Sequence, residues 1–146
     1  ARRAAAAAQV GGPVEFVMPV ELRVLGLAAL LQVAQLVLMA IPVNLQLGPA
    51  YTAGPRDEPR QARGLAGRLV RAYDNHFEAL ILFAIAVLVV VLGEGGDRAT
   101  AACAWIYLVA RILYVPAYAS GVFLLRSIIY AVGLLATVAL LLLGLF

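Results

Sequence analysis

Residues 68–98 read RLVRAYDNHFEALILFAIAVLVVVLGEGGDR, a polar and charged opening, an unbroken apolar run from Ala79 to Leu92, and a glycine-rich stop. The apolar residues do not alternate with polar ones, which excludes a barrel strand, and the Leu/Ala/Val content is that of a buried or lipid-facing helix. Gly93 to Arg98 forms a turn too short for anything but an antiparallel return of the next apolar run. With no water in the hydrocarbon core, every backbone N–H and C=O in such a run must be satisfied within the helix itself.

Working outward, three further runs appear on either side. The first span is expected over Val20–Ile41, with Glu21 and Arg23 at its start and Pro42 as its stop. A polar stretch follows from Asn44 to Arg71, broken by Gly48-Pro49, Gly54-Pro55 and Pro59. The second span is expected over Asn75–Leu92, the third over Thr100–Val115 with Pro116 as its stop, and the fourth over Arg126–Phe146 after a connection at 117–125. Spans two and three fall short of the ~20 residues that cross a bilayer. Extending them into their polar flanks places the start of the second near Arg68 and brings Arg111 inside the third. The expected fold is therefore an all-α integral membrane protein, a four-helix antiparallel bundle over residues 19–146. Residues 1–18 are expected to form a weakly ordered interfacial lead-in, which lacks the long apolar segment of a signal peptide.

Composition agrees. Apolar residues make up 64% of the 146-residue chain and mean hydropathy is +0.98, beyond what a soluble domain of one core can hide. The net charge is +3 and all eleven basic residues are arginine, so each cation is a planar fork suited to carboxylates. Compositional bias alone explains the absence of lysine. The basic excess sits in membrane-flanking segments, which points to orientation and not to nucleic acid. Arg56, Arg60, Arg63, Arg68, Arg71 and Arg126 lie on one side, against Arg2, Arg3, Arg23 and Arg98 on the other. The 43–72 loop is thus expected in the cytoplasm, with both termini opposite, in a membrane of bacterial inner-membrane type. The single cysteine, Cys103, rules out a disulfide framework or a thiolate metal site, and no metal is expected.

Three constellations carry chemistry. Arg68, Arg71, Asn75 and Glu78 fall within an arc of about 80° at 100° per residue, a polar stripe confined to the first turns of the second helix. Such a stripe describes a site at a membrane face; the plainer alternative is a helix start whose arginines snorkel. Asp74 and His76 lie off it, and His76 is expected to be an interfacial side chain. Tyr107, Arg111, Tyr114 and Tyr118 share a face at spacings of four, three and four. An arginine inside a span needs a carboxylate or a bound anion, either a ligand or a structural pair with Glu78 or Asp74. Tyr107 is expected in an interfacial aromatic belt. Arg126 and Tyr130 share a face at the opening of the fourth helix, with Ser127 about a quarter-turn round. All three sets lie at the same end of their helices, an inventory suited to a small, multiply charged zwitterion with a lipophilic neighbour.

These residues resemble the MAPEG family, the membrane-associated proteins of eicosanoid and glutathione metabolism. Arg71-Ala72-x-x-Asn75-x-x-Glu78 resembles the family's helix-two motif, Arg111 with Tyr118 seven residues on resembles its helix-three pattern, and Arg126-Ser127-x-x-Tyr130 resembles the start of helix four in the prostaglandin E synthase branch. The match runs from about Pro19 to Phe146. The resemblance implies a homotrimer in the lipid bilayer that binds glutathione as co-substrate between subunits. It implies that Arg71, Asn75, Glu78, Arg111, Tyr114, Tyr118 and Tyr130 form the cradle. Arg126 would stand beside the glutathione sulfur, assisted by Ser127, and a small lipophilic electrophile would enter from lipid. Two departures stand out. Many members carry an arginine near the cytoplasmic end of helix one, where this chain reads MAIPVNLQ over residues 39–46, and Asp74 stands where the prostaglandin E synthase branch has a basic residue.

Three functions are therefore weighed. The first is a glutathione transferase or peroxidase. The second is a non-catalytic accessory or scaffold subunit of the same fold, motivated by the two departures. The third is a small transporter coupled through Glu21, disfavoured because transport sites lie near the bilayer midplane.

Overall fold

The computed structural model describes residues 17–146. The expected lead-in at 1–18 lies outside the described residues except for Val17 and Met18. Four long helices account for nearly everything else: α1 (Val20–Leu47), α3 (Gly64–Leu92), α4 (Arg98–Ser120) and α5 (Leu125–Leu145), with a single turn, α2 (Pro49–Thr52), after α1. Each is long and apolar enough to cross a membrane. At 1.5 Å per residue, the 21 residues of α5 reach about 32 Å and the 29 of α3 about 43 Å. Against a hydrocarbon core of about 30 Å, α1 and α3 must therefore extend into the headgroup layer.

Both proline stops are corrected. Pro42 lies inside α1, which runs on to Leu47, and Pro116 lies inside α4, which runs on to Ser120. A proline removes one backbone donor and crowds one carbonyl, but the helix on either side keeps its own bonds, and membrane helices tolerate this where neighbours re-satisfy the freed groups. The real stops are glycines in positive-φ backbone: Gly48 at φ 85°, backed by Pro49, and Gly121 at φ 72°. The connection between α4 and α5 shrinks accordingly to 121–124. α3 starts at Gly64, further upstream than Arg68, and much of the expected polar loop is helix.

The chain order makes neighbours antiparallel, and packing places α3 and α4 at the centre. Each touches every other long helix, whereas α1 and α5 do not meet. The shared core is built from Val24 and Ala28 of α1, Phe83, Ala86, Val87 and Val90 of α3, Ala104 and Tyr107 of α4, and Leu140 of α5. Large apolar side chains instead cover the outside, among them Leu30, Val33, Ile85, Ile112, Leu135 and Leu142. Lipid tails are as apolar as leucine, so helix association here rests on close packing and hydrogen bonds, not on escape from water. Gly144 shows the fit: a Cβ there would lie 2.8 Å from Val90 Cγ2.

Polar ties pin the bundle at both ends. Asp97 caps α4, accepting from the Thr100 N–H at 2.8 Å while Thr100 Oγ1 accepts from the Asp97 N–H at 2.8 Å. The same hydroxyl donates to the buried Glu21 carboxylate of α1 at 2.6 Å. At the opposite end, the Gln46 side chain of α1 accepts from the backbone N–H of Arg63, the residue that caps α3, at 2.7 Å.

Candidate functional site

The C-terminal end of α4 and the N-terminal ends of α3 and α5 gather at one end of the bundle, and there they enclose a pocket of about 280 Å³. α3 supplies Arg71 and Asn75, α4 supplies Tyr114 and Tyr118, and α5 supplies Arg126, Ser127 and Tyr130. The i, i+4 spacings keep each helix's contribution on one face, and the antiparallel hairpins bring those faces to the same depth. The continuation of α4 past Pro116 matters here, because it holds Tyr118 in the wall.

Tyr118 is the hinge of the polar surface. Its hydroxyl accepts from Arg71 Nε at 3.2 Å, and the Arg71 and Arg126 guanidinium carbons lie 5.9 and 4.9 Å from its ring centre. Beneath it, Arg111 is 2% exposed and sits among three phenols, 5.3 Å from the Tyr107 ring centre, 5.7 Å from Tyr114 and 5.1 Å from Tyr130. Ring quadrupoles attract a desolvated cation strongly. Nη1 of Arg111 donates to Asn75 Oδ1 at 3.3 Å, which orients the amide toward the pocket. Gly133 of α5 packs beside this guanidinium, and a Cβ there would lie at an ordinary contact distance, 3.5 Å from Arg111 Nε. Three guanidinium groups thus bound or underlie a pocket whose lining includes no carboxylate, a surface of net positive potential set for an anion.

Several sequence expectations change. Among the described residues the one side-chain ion pair joins Arg60 and Glu58 at 3.9 Å, so Arg111 pairs with neither Glu78 nor Asp74. Both of those carboxylates are exposed on α3, and Glu78 does not line the pocket formed by this chain alone. Their angular offset from Asn75 turns them away from α4. Arg68 also stays out of the lining and sits against Gly121. Tyr107 is not in an interfacial belt: it is fully buried and stacks on Phe83 with ring centres 3.8 Å apart. His76 is fully buried as well, with Nδ1 2.6 Å from Gln35 Nε2.

That last contact belongs to a set of residues the sequence reading passed over. Gln35 meets His76, and Gln32 donates to the Tyr73 carbonyl at 3.4 Å, so α1 braces α3 on both sides of Asn75. Two glutamines three residues apart within an apolar span were a legible signal, because amides at membrane depth seek partners across helices. Glu21, weighed as a coupling carboxylate, is instead a buried acceptor at the far end of α1, in its first turn.

Fold and site together define a class: an integral membrane four-helix bundle with an arginine- and tyrosine-lined pocket at one end. The MAPEG family model matches residues 24–146, and the chain belongs to that family. A search of curated proteins gives no match.

Proposed function

We propose that the protein is a membrane-bound, glutathione-dependent transferase or peroxidase acting on a lipophilic electrophile. The observation that carries this is the convergence of Arg71, Asn75, Arg126, Ser127 and three tyrosines on one pocket at the bundle end. Glutathione presents two carboxylates, amides and a thiol. Guanidinium forks bind carboxylates through paired charge-assisted hydrogen bonds, and the Asn75 amide suits the peptide groups. The orientation that places this end in the cytoplasm, where the arginine excess lies, gives the pocket access to a soluble co-substrate. In a homotrimer, a neighbouring subunit would cover the exposed Glu78 carboxylate and close the open side of the pocket. Glu78 would then reach the ligand from the rim.

In this mechanism the glutathione S–H loses its proton to water, and the thiolate is held by the Arg126 guanidinium and a hydrogen bond from Ser127. A cation beside sulfur lowers the thiol pKa and raises the nucleophilic fraction at neutral pH. The thiolate forms a bond to the electrophilic carbon, the leaving group departs with the bonding pair, and water protonates it. With a lipid hydroperoxide the thiolate attacks oxygen instead, the O–O bond breaks, and the alkoxide leaves as an alcohol after taking a proton. A second glutathione then converts the sulfenic acid to disulfide and water.

The test is a thermal-shift titration with glutathione in detergent, since a ligand bound only by the native state raises apparent stability. Saturable stabilisation, conjugation of a model electrophile, and strong loss of rate in Arg126→Ala are expected. No stabilisation and no turnover across a broad electrophile panel would sink the proposal. A second reading, a non-catalytic subunit, is favoured by one observation. The polar groups of α1 near the pocket end are committed to structure, with Asn44 bonded to the Ala40 carbonyl and Gln46 to Arg63. Stoichiometric copurified partners and no glutathione binding would select it.

A further inference from the structure

The turn that joins α4 to α5 reads GVFLL over residues 121–125, with no polar side chain between Ser120 and Arg126. Its counterpart at the opposite end, between α3 and α4, reads GEGGD over residues 93–97. Both are short connections between spanning helices, so hairpin geometry does not account for the contrast. Val122, Phe123, Leu124 and Leu125 are all exposed, Phe123 at 88%. Four successive apolar side chains turned into water would be costly, and an exposed apolar patch of this kind marks a contact surface.

The backbone singles out the same turn. Leu124 sits at φ 63° and ψ −27°, left-handed backbone that a residue with a Cβ adopts only at a cost. Glycine takes such a position freely, as Gly121 does three residues earlier. A leucine here points to a use for its side chain. The Leu124 carbonyl meanwhile accepts from the N–H groups of Ser127 and Ile128, each at 3.0 Å. Those bonds start the helical turn that carries Arg126 and Ser127 into the pocket wall.

Helix length fixes the depth of the turn. The 23 residues of α4 and the 21 of α5 span about 34 and 32 Å, against a hydrocarbon core of about 30 Å. The connection between them therefore lies at the core boundary, at the pocket end. Its apolar patch also continues a lipid-facing surface. Leu125, Ile128, Val132 and Leu135 of α5 follow at three- and four-residue spacing and are all exposed, so the face that α5 presents to lipid runs on into the turn. That continuity selects acyl chains as the partner.

We propose that residues 122–125 insert into the leaflet at the pocket end, with Phe123 in the layer between headgroups and acyl chains. This anchor sets the depth of the pocket wall formed by Arg126 and Ser127. It does not depend on the glutathione reading.

The test uses the full chain in phosphatidylcholine nanodiscs. Trp105 is the single tryptophan, so Phe123→Trp in a Trp105→Phe background reports on the turn alone. Blue-shifted emission is expected, quenched by lipids brominated near the headgroup end of the acyl chain and not by aqueous iodide. Glu58→Trp in the same background, at an exposed loop position, should show the reverse. Iodide quenching at position 123 equal to that at position 58 overturns insertion. Quenching by neither agent places protein over the turn and overturns the lipid assignment. The second measurement is amide hydrogen exchange of Ser127 and Ile128. Val122→Ser with Phe123→Ser should speed it about tenfold or more, while the first turn of α4 at the opposite end keeps its rate. Unchanged exchange at Ser127 and Ile128 overturns the anchoring of the pocket wall. The quenching result carries no substitution of an apolar residue by a polar one, so it decides insertion even where the serine pair unfolds the chain.

Discussion

Thr100→Val offers a direct test of how α1 is held to the rest of the bundle. Thr100 is 1% exposed and the Glu21 carboxylate it serves is 3% exposed. The hydroxyl has one proton and two acceptors in reach, Glu21 Oε1 at 2.6 Å and the Asp97 carbonyl at 3.0 Å. The shorter, charged acceptor takes it. Valine keeps the shape and removes the hydroxyl, so no overpacking enters. The loss is one hydrogen bond to a buried charge, about 1.5–3 kcal/mol. The Asp97 N–H, freed at an exposed residue, turns to water at little cost. A net loss of about 2 kcal/mol lowers the melting temperature by roughly 4–8 °C for a chain of this size. Thermal unfolding in detergent followed by the fluorescence of Trp105 measures it. In a Glu21→Gln background the same substitution removes only a neutral bond and should cost about 1 kcal/mol. A shift under about 1 °C, or an identical cost in both backgrounds, refutes the idea that this charged bond holds α1 to α4.

Three other outcomes follow from the geometry. Tyr118→Phe removes the acceptor of Arg71 Nε at 3.2 Å, and the glutathione concentration at half-maximal stabilisation should rise about three- to tenfold with the melting temperature of the free protein nearly unchanged. An unshifted titration would detach Tyr118 from the pocket. Gly144→Ala places a Cβ 2.8 Å from Val90 Cγ2 and 3.1 Å from Val89 Cγ1, both on stiff β-branched side chains, and should cost about 1–3 kcal/mol by thermal unfolding. Gly133→Ala, which meets Ala110 Cβ at an ordinary 3.5 Å, should be tolerated, and the reverse ranking would contradict the packing described. The Thr100 N–H bonded to Asp97 holds that carboxyl below its ordinary value. A group depressed in the folded state stabilises above its unfolded pKa, and that contribution is lost as pH falls through the folded value, from about pH 4 downward. Melting temperature against pH should therefore show a small acid loss that Asp97→Asn lacks, and matching slopes would exclude it.

Much of the site was legible because helical spacing is a local property. Arg71 and Asn75, Tyr114 and Tyr118, and Arg126 and Tyr130 each share a face at a four-residue interval, whatever surrounds them. Glu78 obeys the same rule yet lies outside the pocket, since a stripe about 80° wide extends past the contact with α4. His76 and Tyr107 went the other way. They looked interfacial by composition and are buried, because Gln35 reaches the first and Phe83 stacks on the second from other helices.

The sequence by itself determined the number of spans, their antiparallel order, the family, and the end of the bundle at which the charges gather. Hydropathy and short turns settle the spans and their order, and the resemblance of the three motifs points to the family and to the charged end, since each depends only on a residue and its neighbours along the chain. Tertiary structure decided that both prolines are passed over, that Arg111 is compensated by phenols and an amide with no carboxylate, and that α1 braces the turn bearing Asn75. It also decided that the turn before Arg126 presents its apolar side chains outward. The reason is physical. In a membrane the core and the surrounding solvent are equally apolar, so composition does not tell a lipid-facing side from a packed one, and only the positions of neighbouring helices do.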